Sequence, residues 1–132
     1  MLGDQIIEAK GKRTVRRVLS DSPPTVEVSF EETGSVLGTP MNGIGTYSSV
    51  MQPDGVLYGT GQGIMMTQDG EAVTWTGTGF GKLGPGGAAS FRGMLFFHTA
   101  SKKLARLNSA CGAFEHDVDS SGNTTSKIWE WK

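Results

Sequence analysis

The chain has 132 residues, 20 of them glycine, and a net charge of −1. That length suits one domain, and a near-neutral balance excludes attraction of nucleic acid or a membrane surface by overall charge. A hydrophobic content of 36% against 19% charged excludes a disordered chain, and glycines without a three-residue period exclude collagen. The single cysteine, Cys111, rules out an intramolecular disulfide. No apolar run reaches the length of a membrane span or signal-peptide core, so cytoplasmic residence is the expectation.

Turn signals at Ser22-Pro23-Pro24, Gly38 to Gly43, Pro53-Asp54-Gly55, Gln68-Asp69-Gly70, Gly84 to Gly87, Ser101 to Lys103 and Ser120 to Asn123 cut the chain into eight segments. The first, Gln5 to Leu19, is broken by Gly11 and β-branched residues and reads as a strand rather than a helix. The second, Thr25 to Leu37, alternates apolar and polar residues at Val26, Val28 and Phe30, the period of a half-buried strand. Ile44 to Met51 is the third. Val56 to Thr67 and Glu71 to Lys82 carry glycine at alternate positions (Gly59, Gly61, Gly63; Gly77, Gly79, Gly81) among bulky residues such as Tyr58 and Trp75. Flexible linkers lack such residues, whereas glycine inside a strand marks a bulge, a bend or a close approach. Ala88 to Ala100, Leu104 to Asp117 and Thr124 to Lys132 complete the set. Eight consecutive strands joined by short turns predict an all-β, single eight-stranded antiparallel up-and-down barrel over residues 1–132, with little helix and with glycines inward where the sheet curves. A sandwich, the competing architecture, needs longer crossovers.

The last third of the chain contains Leu104-Ala105-Arg106-Leu107-Asn108, Gly112-Ala113-Phe114-Glu115, Asp119 to Asn123 and Trp129-Glu130-Trp131. It resembles a group of uncharacterised small prokaryotic proteins. The resemblance implies the eight-stranded barrel of allene oxide cyclases and plant dirigent proteins, but it carries over no activity.

Most motif matches are local. Gly79, Gly81 and Gly84 match the dinucleotide-binding pattern, but the following residues read as a strand, so no helix end is available for a pyrophosphate. Asp117 to Asn123 begins like a calcium loop and then places Ile128 where a bidentate carboxylate is required. His98 and His116 fall at opposite ends of neighbouring strands and read as solitary surface or rim histidines. Cys111 reads as a buried, inert thiol. The basic run Lys10 to Arg17 is balanced by Glu27, Glu31 and Glu32, in a register placing Arg17 opposite Glu27 and Arg13 opposite Glu31. No metal site and no cofactor is expected.

The interior is the place for function. One register puts Glu130 opposite Gly112, on the inward face with Ile128, Phe114, Asn108 and Arg106; a one-residue slip instead turns Trp129 and Trp131 inward. The first expectation is a barrel that binds an apolar or amphipathic small molecule against Tyr58 and Trp75, with Arg106, Asn108 and Glu130 fixing its polar end. The alternative is an isomerase or cyclase using Glu130 or Glu115 as acid or base. A third is a structural barrel with a filled interior. Ile64 to Met66 and Met94 to Phe97 are apolar on both faces, which predicts a homo-oligomer, dimer or trimer.

Overall fold

A computed structural model describes all 132 residues. Eight strands, β1 (Leu2–Asp21), β2 (Pro24–Val36), β3 (Thr39–Met51), β4 (Leu57–Thr67), β5 (Ala72–Leu83), β6 (Ala89–Thr99), β7 (Cys111–Val118) and β8 (Asn123–Trp131), pair with their neighbours in sequence. β1 also pairs antiparallel with β8, so the meander closes into a barrel. Closure removes the sheet edges along the barrel wall. The only helical turns are two 3₁₀ segments, Pro85–Gly87 and Ala105–Ser109. No helix is long and apolar enough to cross a membrane.

Two expected strand starts and one expected register move. β3 starts at Thr39 rather than Ile44, because the chain turns in two residues, Leu37 and Gly38, whose φ values of 47° and 78° suit a tight hairpin. β7 starts at Cys111 rather than Leu104; Leu104 to Ala110 instead fold into the second 3₁₀ segment and its flanks, which bury Leu104 and Leu107 almost completely. In β1 a bulge at Thr14 shifts the register. Arg17 therefore faces Glu27, with a 3.0 Å ion pair, but Glu31 is opposite Lys12 and Arg13 is opposite Phe30.

The two ends of the barrel differ. Ile7, Val36, Met41, Met65, Val73, Leu95 and Phe97 fill the end that the second 3₁₀ segment covers, with Leu104 and Leu107 packed into the same core. Toward the other end the inward positions of β4 and β5 are glycines: Gly59, Gly61 and Gly63 pair with Gly79, Gly77 and Trp75. A Cβ at Gly63 would lie 2.3 Å from the Trp75 indole, and one at Gly45 would lie 2.5 Å from the Phe30 ring. These glycines let two aromatic rings lie across the barrel.

Candidate functional site

Side-chain volume along the barrel sets the site. Gly59, Gly61, Gly77 and Gly79 withhold side chains from one wall, while Phe30, Tyr47, Trp75, Phe91 and Phe114 project from the others. Between them is a cavity of about 70 Å³ lined chiefly by glycines and aromatic side chains. That space exceeds the volume of one water, yet it is smaller than the roughly 150 Å³ cavity that admits benzene. It therefore accepts a group of a few heavy atoms or the head of a longer molecule.

One wall is polar. Glu32 on β2 and Ser126 and His116 on β8 and β7 line the cavity, and all three residues are buried. They converge because the β1 residues between them are small: Gly11 pairs with both Glu32 and Thr124, and Ala9 pairs with Ser126. His116 Nδ1 and Ser126 Oγ are 2.7 Å apart. Glu32 Oε1 and His116 Nε2 have no hydrogen-bond partner within the protein. Unpartnered buried polar atoms are costly, and native proteins keep few of them.

Burial acts on both groups against charge. It pushes the Glu32 carboxyl up to about 7, with the Ser126 hydroxyl opposing, and it pushes the His116 imidazole down to about 4 against the pull of Asp117. Near neutral pH the pocket thus contains an uncharged imidazole and a carboxyl divided between its acid and its anion. Tyr47, whose ring lies 5.9 Å from that of His116, is pushed up to about 12 by burial and remains a neutral phenol.

The residues expected to form the site separate into three places. Trp75 lines the cavity. Tyr58 does not: it lies on the outer face, its ring 5.8 Å from that of Phe80 and tilted against it, because alternation from the inward Leu57 and Gly59 turns it out. Arg106 and Asn108 lie on the 3₁₀ segment rather than on β7. Arg106 Nη2 donates to Glu130 Oε1 at 2.5 Å and to Asp4 Oδ2 at 2.8 Å, and this pairing holds the Asp4 carboxyl below its usual range. Asn108 stitches the segment to β6, accepting from the Thr99 amide at 2.8 Å and donating to its carbonyl at 3.0 Å. Glu130 is opposite Gly112, with Trp129 turned the other way, at the filled end of the barrel beyond the cavity. Glu115 faces outward, 3.9 Å from Arg92.

His116 is the largest correction. It is a buried interior residue, not a rim histidine, because strand pairing places it opposite Phe91 and Ser126 in the middle of the wall. Glu32, too, is buried inside the barrel and not part of the solvated charged face expected for it. The alternation of Val28, Phe30 and Val36 with polar residues is the signal that turns position 32 inward. Cys111 is half-buried, and no three His, Cys, Asp or Glu side chains cluster as metal ligands do.

No protein-family model matches the chain, and no curated protein matches it either. Solved structures are similar along nearly the whole length. A protein of unknown function from Clostridium acetobutylicum ATCC 824 superposes with a TM-score of 0.83 at 13% identity, covering 96% of each chain. A β-barrel-like protein from Acinetobacter baumannii AYE gives 0.77 at 13% identity, with 98% of this chain and 96% of that one covered. An enzyme from Penicillium herquei gives 0.68 at 13% identity, with 96% and 92% covered. Identities this low establish a shared eight-stranded barrel fold, and a shared fold leaves function to the site.

Proposed function

We propose that the barrel interior binds a small apolar or amphipathic molecule, whose hydrogen-bonding group meets Glu32, Ser126 and His116. The observation that carries this reading is the pairing of a glycine- and aromatic-walled cavity with a buried carboxyl oxygen, Glu32 Oε1, and a buried imidazole nitrogen, His116 Nε2, that lack protein partners. A ligand with one polar end satisfies those atoms and fills the space beside Trp75 and Phe91. The polar end is thus assigned to residues other than Arg106, Asn108 and Glu130. Kinship with the allene oxide cyclase and dirigent barrels, implied by the last third of the chain, belongs to the same reading.

The test combines native mass spectrometry of the purified protein with an NMR titration by 1-propanol, an amphipathic probe of four heavy atoms. A retained small molecule, or saturable shifts of the Trp75 indole and His116 ring signals, is the expected result. Both should be lost in Gly59→Val, which fills the cavity where a Cβ first meets Phe91 at 3.3 Å. Absence of a retained molecule and of any shift in the unmodified protein refutes the reading.

Acid–base catalysis on such a ligand is the second reading, and Glu32 is the observation that favours it. A carboxyl titrating near 7 exchanges protons close to neutral pH, as a general acid or base requires. In this reading Glu32, not Glu130 or Glu115, is the acid or base.

A further inference from the structure

The cavity wall combines aromatic rings and hydrogen-bond acceptors and has no cationic side chain. Phe30, Tyr47, Trp75, Phe91 and Phe114 line it, and no Lys or Arg does. Tyr47 is inclined by 54° to Phe30 and by 66° to Phe91, so the rings bound the space from several sides. Glu32 is the only buried carboxyl of the molecule and has no ion pair, whereas Glu27, Asp69, Asp117 and Glu130 each have one. Buried charges in proteins are paired or neutralised. Ser126 joins the two polar groups of the wall. Its Oγ is 2.7 Å from His116 Nδ1, and its hydroxyl favours the charged form of Glu32. A hydroxyl has one proton to give. When Glu32 is ionised, that proton goes to the carboxylate and the imidazole donates its Nδ1–H to Ser126 Oγ. His116 Nε2 is then a bare acceptor, as Glu32 Oε1 is.

We infer that the polar end of the ligand is a primary ammonium group, held by Glu32 and His116 and enclosed by the aromatic rings, an inference that rests on the cavity being a ligand site. An ammonium supplies the N–H donors that two acceptors require and the positive charge that a buried carboxylate lacks. Aromatic faces attract a cation as well, most strongly where water is excluded. A carboxylate or phosphate end is repelled by Glu32, and a hydroxyl brings one donor and no charge. The other ionisable groups leave this selection to Glu32. Tyr47 from β3, on which Arg13 of β1 acts, and His116 from β7, on which Asp117 acts, are kept uncharged near neutral pH by burial. Lys10, Lys12, Glu31 and Lys127 alternate to the outer face, and Glu115 turns outward to Arg92.

NMR titration of the full chain with propylammonium chloride and with 1-propanol, two probes of the same length, tests this through the Trp75 indole signal. At pH 8 propylammonium is expected to bind roughly tenfold more tightly or better. From pH 8 to pH 6 its affinity should fall by roughly tenfold, because the cation prefers the ionised site and Glu32 takes up a proton over that range, while the amine stays charged. Binding of 1-propanol should show no such fall. Glu32→Gln should bring the two probes to within about threefold of each other, with circular dichroism showing an intact barrel. If 1-propanol binds at least as tightly as propylammonium at pH 8, the inference is overturned and the ligand site stands. A preference for propylammonium that survives in Glu32→Gln overturns it too. Binding of neither probe overturns the inference and the ligand site together.

Discussion

The two halves of this barrel share one hydrogen-bonded wall and use its interior in opposite ways. At the covered end, inward positions hold Ile7, Val36, Met65, Val73 and Leu95, and Leu104 and Leu107 from the 3₁₀ segment complete a dry core. Past Trp75 the inward positions of β4 and β5 become glycine, and the space they leave is bordered by Glu32, Ser126 and His116. Stability is concentrated where volume is filled. The capacity to accept another molecule lies where it is not, and there Glu32 Oε1 and His116 Nε2 are unpartnered.

The largest change should come from opening the filled half. Leu107 is fully buried, so Leu107→Ala should cost about 2–5 kcal/mol in chemical denaturation, by lost transfer energy and an unfilled cavity. A loss below about 1 kcal/mol would mean that the segment is not part of the cooperative core.

Next comes the pH dependence of the polar wall. Glu32 has a higher pKa folded than unfolded, so its contribution is present below about 4.5 and is lost as pH rises through about 7. His116 is displaced the other way: its contribution is present above 6.5 and is lost as pH falls through about 4. Each displacement corresponds to on the order of 3 kcal/mol, and the two oppose each other between pH 4.5 and 6.5. Glu32→Gln removes one arm. The variant should gain stability by about that amount from pH 4 to 6.5, and at pH 8 it should exceed the unmodified protein, as read from urea midpoints across pH. Parallel profiles for the two proteins would show that Glu32 is not held neutral.

The smallest effect is expected in the glycine wall. Gly59→Ala places its Cβ 3.3 Å from the edge of Phe91 and should change stability by less than about 1 kcal/mol. Gly77→Ala puts a Cβ 2.2 Å from Leu95 and 2.8 Å from a β6 carbonyl, and should cost clearly more. Equal costs in thermal unfolding would remove the distinction between glycines that leave space and glycines that admit a neighbour.

The eight-stranded meander was legible in the chain because its information is local. Asp54-Gly55, Asp69-Gly70 and Ser121-Gly122 end strands by themselves, and alternation around Val26, Val28 and Phe30 sets the period. The row Phe91, Gly93, Leu95 and Phe97 on β6 keeps the same period. Leu104 to Asn108 misled because a strand and a short 3₁₀ segment look alike over five residues; burial of Leu104 and Leu107 in the barrel mouth selects the second. Arg13 misled because one bulge, invisible in composition, shifts a whole register.

What the sequence determined by itself is therefore the wall: the number of strands, their order, and glycines facing a curved interior. What only the tertiary structure decided is the polar cluster. Glu32, His116 and Ser126 come from three strands and lie 84 and 10 positions apart in succession; they meet only because closure brings β1 between β2 and β8. Burial then gives a carboxylate and an imidazole protonation behaviour that neither has in isolation, since desolvation depends on what surrounds a group in space and not on its neighbours along the chain.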